Sequence, residues 1–196
     1  FHGLLVPEEY EGAGMGMAEM GLAMETLCAE GCGMAGTWYL VLTGGMAAIG
    51  IRENGTEAQK EKYLPDIATG ERNFSIGITE PEAGTNTLNV TTHAEKDGDG
   101  YVLNGTKTWI TNSPIADVAV VWAKDRSSEE NPVRGFLVET DRDGVSTNKI
   151  DEKLSLRASI TGEIGLNDVH VPEENILPGV GGMKGPLSCL TQARYG

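Results

Sequence analysis

The segment at positions 74–86 constrains this chain more than any other, because an apolar strand breaks there into a polar loop. It reads Phe-Ser-Ile-Gly-Ile-Thr-Glu-Pro-Glu-Ala-Gly-Thr-Asn. Pro81 lacks a backbone donor and ends the predicted strand, and Gly84 allows the backbone to approach a ligand closely. Thr79 and Thr85 add hydroxyl groups beside a row of backbone N–H groups. The pattern predicts a ligand-binding loop at the end of a buried strand.

A second segment, Lys-Thr-Trp-Ile-Thr-Asn at positions 107–112, has complementary chemistry. Trp109 and Thr111 are two residues apart, so a regular strand would place the indole and the hydroxyl on one face. An aromatic plane, small hydroxyls and exposed amides suit a flat, polar heterocycle that carries phosphates. Threonine and tryptophan also favour strands for structural reasons alone. The alternative is therefore that these are ordinary sheet residues.

The first third of the chain is predicted to be helical. Apolar periodicity and an alanine-rich composition indicate helices over Met17–Glu30 and about Ala35–Ile51. The sequence Thr-Glu-Ala-Gln from Thr56 is a capping box that begins a third helix, which ends before Gly70. A further helix is expected from about Leu187, after a glycine-rich linker.

From Asn73 onward, short apolar segments separated by turns predict a series of strands. Asp97–Gly100 and Asn104-Gly105 are interpreted as hairpin turns. The expected strands are Phe74–Thr79, Val90–Glu95, Tyr101–Leu103, Thr106–Thr111, Val118–Ala123, Gly135–Glu139 and Ile164–Val171.

These elements predict an α+β fold, because no long helix separates the strands as a parallel sheet would require. Residues 1–72 form an N-terminal helical domain, and residues 73–178 form an antiparallel β-barrel or β-sandwich domain. Residues 179–196 form a linker and the start of a C-terminal helical bundle.

Composition excludes several classes of function. The net charge of −14 argues against nucleic acid as a partner, because phosphate binding needs clustered lysine and arginine. The three cysteines and three histidines lack the spacing of a disulfide framework or a metal site. No apolar run approaches the ~20 residues needed to span a membrane. The chain also begins without a methionine, and we expect it to be part of a longer protein.

The two segments together resemble the acyl-CoA dehydrogenase family, whose signatures are a T-E-P-x-A/S-G-S-D loop and a W-I-T-N strand. The resemblance runs from Val6 to Gly196. The second half is most similar to the glutaryl-CoA dehydrogenase branch, on the residues Thr111–Asp117, Arg134–Glu139, Leu156–Ser159 and Cys189–Gly196.

The resemblance implies a bound FAD. Trp109 would pack on the flavin ring, and Thr111 would donate a hydrogen bond toward flavin N5, where negative charge develops. Thr85 and Asn86 stand where the family usually has serine and aspartate, so the hydroxyl is kept and the carboxylate is lost. The cofactor-binding residues implied are Ile76, Gly77, Ile78, Thr79, Gly84, Thr85, Trp109, Ile110 and Thr111.

The resemblance also implies an acyl-CoA site. Without gaps, the family's glutaryl-binding Arg-Ser pair falls on Thr37-Trp38, which cannot neutralise a buried distal carboxylate. Arg194 would pair with a carbonyl or phosphate group, or alternatively form an interhelix salt bridge. The substrate-binding residues implied are Thr37, Trp38, Thr85, Leu187, Leu190, Thr191 and Arg194.

No residue of the chain is nominated as catalytic base, because the family's base is a carboxylate in the C-terminal helical domain. Glu80 and Glu82 flank a turn proline and are interpreted as solvated turn residues. No metal site is predicted. Arg157 is expected to organise the β domain.

The implied activity is oxidation of an acyl-CoA to its trans-2-enoyl-CoA, by α-proton abstraction and β-hydride transfer to the flavin. Electrons would pass to an electron-transfer flavoprotein, and the enzyme would be a homotetramer. The alternatives are glutaryl-CoA dehydrogenase, an acyl-CoA oxidase, a non-catalytic flavin or acyl-CoA binding module, and a flavin-free β-sandwich. Cytoplasm is the expected compartment, with the mitochondrial matrix as the alternative.

Overall fold

A computed structural model describes residues 1–33, 36–37, 45–179 and 181–193. Its helices begin and end close to the predicted positions, and the Thr56 capping box is present: the Thr56 hydroxyl accepts from Gln59 N at 3.1 Å. Part of the predicted Ala35–Ile51 helix lies outside the described residues. The α-helices are α1 (Met17–Ala29), α2 (Ala48–Asn54), α3 (Glu57–Thr69) and α4 (Lys184–Ala193).

The middle of the chain forms one eight-stranded sheet. Along the sheet the strands follow the order β6-β7-β3-β2-β4-β5-β8, and β1 pairs with β4. The strands are β1 (Phe74–Gly77), β2 (His93–Asp97), β3 (Gly100–Thr111), β4 (Val118–Asp125), β5 (Val133–Glu139), β6 (Val145–Lys149), β7 (Thr161–Pro172) and β8 (Ile176–Leu177).

The sheet is mostly antiparallel, which confirms the predicted α+β class. Two pairings are parallel, however: β1 with β4 and β2 with β4. The long connection from β1 to β4 contains a loop and two further strands, so it has the length that a parallel pairing needs. The sequence pattern alone did not indicate this pairing.

Asn104-Gly105 is not a hairpin turn, so that prediction was wrong. β3 continues through these residues, and its register against β7 shifts between Leu103 and Gly105. The Asn104 side chain bonds both the side chain and the backbone N–H of Asp168 on β7. Gly105 has a φ of 145°, so the pair forms an irregularity inside a long strand rather than a turn.

Strand β4 joins the two halves of the core because both of its faces are buried. Val118, Val120 and Trp122 pack with helical residues such as Tyr63 in one cluster. The alternate residues, including Val121, pack with the far strands in a second cluster. A continuous apolar run is typical of a strand covered on both sides. The helices therefore fix the sheet that carries the loop after β1.

Glu80 is buried, so its interpretation as a solvated turn residue was wrong. The Glu80 carboxylate lies 2.8 Å from the Lys107 ammonium on β3, and both side chains are almost fully buried. Glu80 also accepts from the backbone N–H groups of Thr91 and Thr92 and from the Thr91 hydroxyl. Lys107 donates further to Ile78 O at 3.1 Å. Glu82 is exposed.

The buried pair is uneven in its hydrogen bonding. Burial raises the pKa of Glu80, but the donors from Lys107, Thr91 and Thr92 outweigh it and lower the pKa to about 2. The Lys107 ammonium has only two acceptors among the described residues, Ile78 O and Glu80, whereas the Glu80 carboxylate has four donors. Burial therefore lowers the pKa of Lys107. The network holds the loop after β1 against β3.

Glu80→Gln should lower the free energy of unfolding by about 3–5 kcal/mol, because it leaves the Lys107 ammonium buried without its counter-charge. The new amide group also faces the Thr91 N–H, a donor facing a donor. Asp151→Asn is the matched control, since Asp151 bonds Lys149 at 2.7 Å with both side chains more than half exposed. The control should change stability by less than about 1 kcal/mol in urea unfolding. Equal effects of the two variants would contradict a structural role for the pair.

The same carboxylate should make stability depend on acid pH. A pKa lowered from 4.5 to about 2 means that the folded state holds Glu80 ionised more strongly than the unfolded chain does. The stabilisation, about 3 kcal/mol, is complete above pH 4.5 and is lost as the pH falls toward 2. Urea titrations at several pH values should show the wild type and Glu80→Gln converging across that window. A constant difference would exclude Glu80 as the titrating group.

Candidate functional site

A cavity of about 440 Å³ opens where β1, the following loop, the end of β3 and helix α4 meet. Its wall is apolar on the helical side and carries hydroxyl groups on the sheet side. The lining residues are Met46, Ser75, Ile76, Ile78, Thr79, Gly84, Thr85, Thr87, Trp109, Ile110, Thr111, Leu187 and Leu190.

The loop after β1 turns sharply because Glu80 and Ala83 exchange two backbone hydrogen bonds, of 3.2 and 3.1 Å. Pro81 lies inside this turn, as predicted from its missing donor. Gly84 and Thr85 follow at the exposed mouth of the cavity. A Cβ atom added to Gly84 would meet open space, so the backbone there is accessible to a ligand.

Trp109 is held in an unusual conformation at the end of β3. Its φ is 60°, a region that bulky residues rarely adopt, and the β3–β7 register shifts between Lys107 and Ile110. The irregularity leaves the Trp109 side chain 60% exposed at the cavity wall. Strain of this kind clusters at ligand sites. An exposed indole beside a cavity offers an aromatic surface to a flat ligand.

The structure brings most of the predicted cofactor residues together: all of them except Gly77 line the cavity. Gly77 lies against the buried cation instead, since a Cβ atom there would be 3.1 Å from Lys107 Cγ. Its small size makes room for the Glu80–Lys107 pair. The prediction that these residues bind a cofactor stays a prediction on this geometry.

The predicted substrate residues are divided. Thr85, Leu187 and Leu190 line the cavity, whereas Thr37 and Thr191 do not. Thr37 is buried, and its hydroxyl donates to Gly33 O at 2.8 Å and lies 3.1 Å from Cys28 Sγ. The Thr37 hydroxyl therefore already has partners in the preceding part of the chain. Trp38 and Arg194 lie outside the described residues.

Sequence reasoning missed three lining residues: Met46, Ser75 and Thr87. Ser75 carried a detectable signal, because it is a lone hydroxyl within an apolar strand. Met46 gave none, since one methionine in an apolar helix resembles any other. Arg157 donates to Lys153 O at 2.8 Å within its own loop, and its predicted organising role stays a prediction.

The cavity can bind but offers little for proton transfer. Its described lining contains no acidic, basic, histidine or cysteine side chain. No group of residues suited to a metal ion occurs in the described ranges, and no helix among them is long and apolar enough to cross a membrane. The site therefore suits a flat, neutral ring with polar edges, next to an apolar chain.

Two family models cover most of the chain. The acyl-CoA dehydrogenase N-terminal domain matches residues 1–71, and the acyl-CoA dehydrogenase middle domain matches residues 75–169. The second match includes the loop after β1 and the whole of β3. The matches thus include most of the cavity wall.

Individual known proteins of the same family are also similar to this chain. The mitochondrial isovaleryl-CoA dehydrogenase of Pongo abelii is 40% identical over 89% of this chain and 42% of its own length. The short-chain acyl-CoA dehydrogenase of Clostridium acetobutylicum is 39% identical over 89% of this chain and 46% of its own length. This chain therefore spans less than half the length of these curated relatives.

Among solved structures, the glutaryl-CoA dehydrogenase of Mycobacterium smegmatis in complex with FADH2 superimposes with a TM-score of 0.89. It is 41% identical, and the match covers 98% of this chain and 48% of that protein. Sequence motifs, family models and fold agree, and the chain belongs to the acyl-CoA dehydrogenase family.

Proposed function

We propose that the full-length protein containing this chain is an FAD-dependent dehydrogenase that converts a short or medium, monocarboxylic acyl-CoA to its trans-2-enoyl-CoA. The observation that carries this proposal is the strained, exposed Trp109 at the wall of a cavity rich in hydroxyl groups. Backbone strain of this kind clusters at ligand-binding sites, and here it coincides with an aromatic side chain that is 60% exposed beside the cavity.

The cavity suits the flavin ring of FAD in three respects. Trp109 offers an aromatic surface, Gly84 leaves room for close approach, and Ser75 contributes a buried hydroxyl without a partner among the described residues. The segment from Ile76 to Thr85, with Trp109–Thr111, would hold the cofactor. FAD, when bound, supplies an acceptor for a hydride.

The residues of this chain would bind and orient the cofactor and the substrate. Thr111 lines the cavity, and its hydroxyl would donate toward flavin N5, where a donor stabilises developing negative charge. Thr85, at the mouth, keeps a hydroxyl for a phosphate group. The α-proton must go to a base, and the described lining of the cavity contains no titratable side chain. A carboxylate elsewhere in the full-length protein is therefore proposed as the base.

The apolar wall supports a monocarboxylic acyl group. Met46, Leu187 and Leu190 line the cavity, and no cation among the described lining residues could pair a distal carboxylate, which must be paired when it is buried. Glutaryl-CoA is the second candidate, because the glutaryl-CoA dehydrogenase of Mycobacterium smegmatis is 41% identical.

We further propose an electron-transfer flavoprotein as electron acceptor, a homotetrameric assembly and a cytoplasmic location. The mitochondrial matrix is the alternative compartment, and the isovaleryl-CoA dehydrogenase of Pongo abelii is a mitochondrial protein. Acceptor kinetics would separate a dehydrogenase from an oxidase, which reacts with dioxygen.

The substrate proposal is tested by anaerobic mixing of the full-length holoprotein with acyl-CoA thioesters. Butyryl-CoA or isovaleryl-CoA should bleach the flavin absorbance, whereas glutaryl-CoA should not, because the buried carboxylate would lack a counter-charge. Bleaching by glutaryl-CoA would overturn the monocarboxylic assignment. A purified protein that binds no flavin would overturn the dehydrogenase proposal itself.

Thr111→Val should slow flavin reduction about 100-fold, because it removes a donor placed where charge develops. KM should change much less than kcat, since that donor acts mainly in the transition state. Thr108→Val is the matched control on the same strand: the Thr108 hydroxyl lies 3.3 Å from Glu163 Oε1 and outside the cavity. The rate of flavin reduction should be measured by stopped flow for both variants. Equal rates would contradict a role of the Thr111 hydroxyl in flavin reduction.

A further inference from the structure

Ser75 is a polar residue placed in an apolar setting. It is the second residue of β1, pairs with Ala119 of β4 and is only 2% exposed. Its strand neighbours are Phe74 and Ile76, and β4 beside it is almost wholly apolar. Alanine or valine would suit this position better if packing alone mattered.

The Ser75 hydroxyl has no hydrogen-bond partner among the described residues. An unmet hydroxyl in a buried position destabilises the folded state, and buried polar atoms are nearly always satisfied. The fold itself supplies no described partner for this hydroxyl. A partner from outside the described chain, either a water molecule or a ligand, would satisfy it.

The position of Ser75 indicates that partner. Ser75 lines the 440 Å³ cavity together with Thr79, Trp109 and Thr111. Thr92 and Trp122 also carry buried polar atoms without partners, but neither lines this cavity. Ser75 therefore lines the same cavity as the residues proposed to hold the flavin, and its buried hydroxyl is the polar group of β1 without a partner there.

We infer that Ser75 is a further cofactor-binding residue, whose hydroxyl forms a hydrogen bond with a polar edge of the flavin ring. The inference rests on the proposed function, since it needs a flavin in the cavity. It extends the binding strand by one residue beyond the segment Ile76–Thr85 that the family motif covers. In this arrangement the cofactor satisfies a hydroxyl that has no partner among the described residues.

Ser75→Ala in the full-length holoprotein is the direct test. The dissociation constant for FAD, measured by fluorescence titration of the apoprotein, should rise about threefold to tenfold, as expected for one lost hydrogen bond. The visible absorption bands of the bound flavin should shift as well, because a hydrogen bond to the ring is removed. Ser75→Cys, with a weaker donor of similar shape, should lie between wild type and Ser75→Ala.

The thermal stability of the FAD-free and FAD-bound proteins gives a readout that a structural role alone would not produce. Without FAD, Ser75→Ala should be at least as stable as the wild type, because the unpaired hydroxyl is gone. With saturating FAD, it should gain less in Tm than the wild type gains. Thr92→Val is the matched control: it removes another buried, unpartnered hydroxyl but keeps the backbone N–H that bonds Glu80, and its FAD affinity should equal that of the wild type.

The outcomes separate this inference from the proposed function. A wild type that binds no FAD would overturn the proposed function, and the inference with it. A wild type that binds FAD, with unchanged affinity and spectrum in Ser75→Ala, would overturn the inference alone. Unchanged FAD affinity combined with weaker acyl-CoA binding would assign the hydroxyl to the substrate and overturn the flavin contact.

Discussion

The buried ion pair of Glu80 and Lys107 determines the shape of the candidate site, because it fastens the loop after β1 to strand β3. Those two elements carry the hydroxyl groups, the open glycine and the indole that line the cavity. A buried pair contributes little net stability compared with apolar residues of equal size, but removing one partner is costly. Its value here is positional. The small Gly77 beside Lys107 and the amides of Thr91 and Thr92 complete the arrangement.

Strand β3 contributes to the site both through its paired first part and through the irregular backbone near Trp109. Its first part pairs with β2 without interruption and with β7 on both sides of the Asn104-Gly105 irregularity, and Lys107 lies in the core. Its last part loses register, and Trp109 takes a positive φ that leaves the indole exposed. The irregular backbone changes the direction of the Trp109 side chain relative to a regular strand. The apolar clusters on both faces of β4 provide the rigid support that such strain requires.

Much of the fold and most of the cavity wall could be predicted from the sequence. Apolar periodicity and the Thr56 capping box located the helices, and the Pro81 turn and the Trp109–Thr111 segment located the wall. The polar edge strand β6 was missed because it has no apolar alternation to detect. Asn104-Gly105 was misread because the same dipeptide serves a turn or a strand irregularity, and the choice depends on Asp168, 64 residues away.

The sequence by itself determined the family of the chain and most of the residues that line the cavity, because motifs are local and ordered along the chain. Tertiary structure alone decided the state of each group. In the sequence Glu80 resembles a solvated turn residue, but in the fold it is buried and paired with Lys107 of β3. Ser75 resembles an ordinary strand residue, but in the fold its hydroxyl is buried without a described partner and the residue lines the cavity. Burial, pairing and strain arise from contacts between distant segments, and no local pattern encodes them.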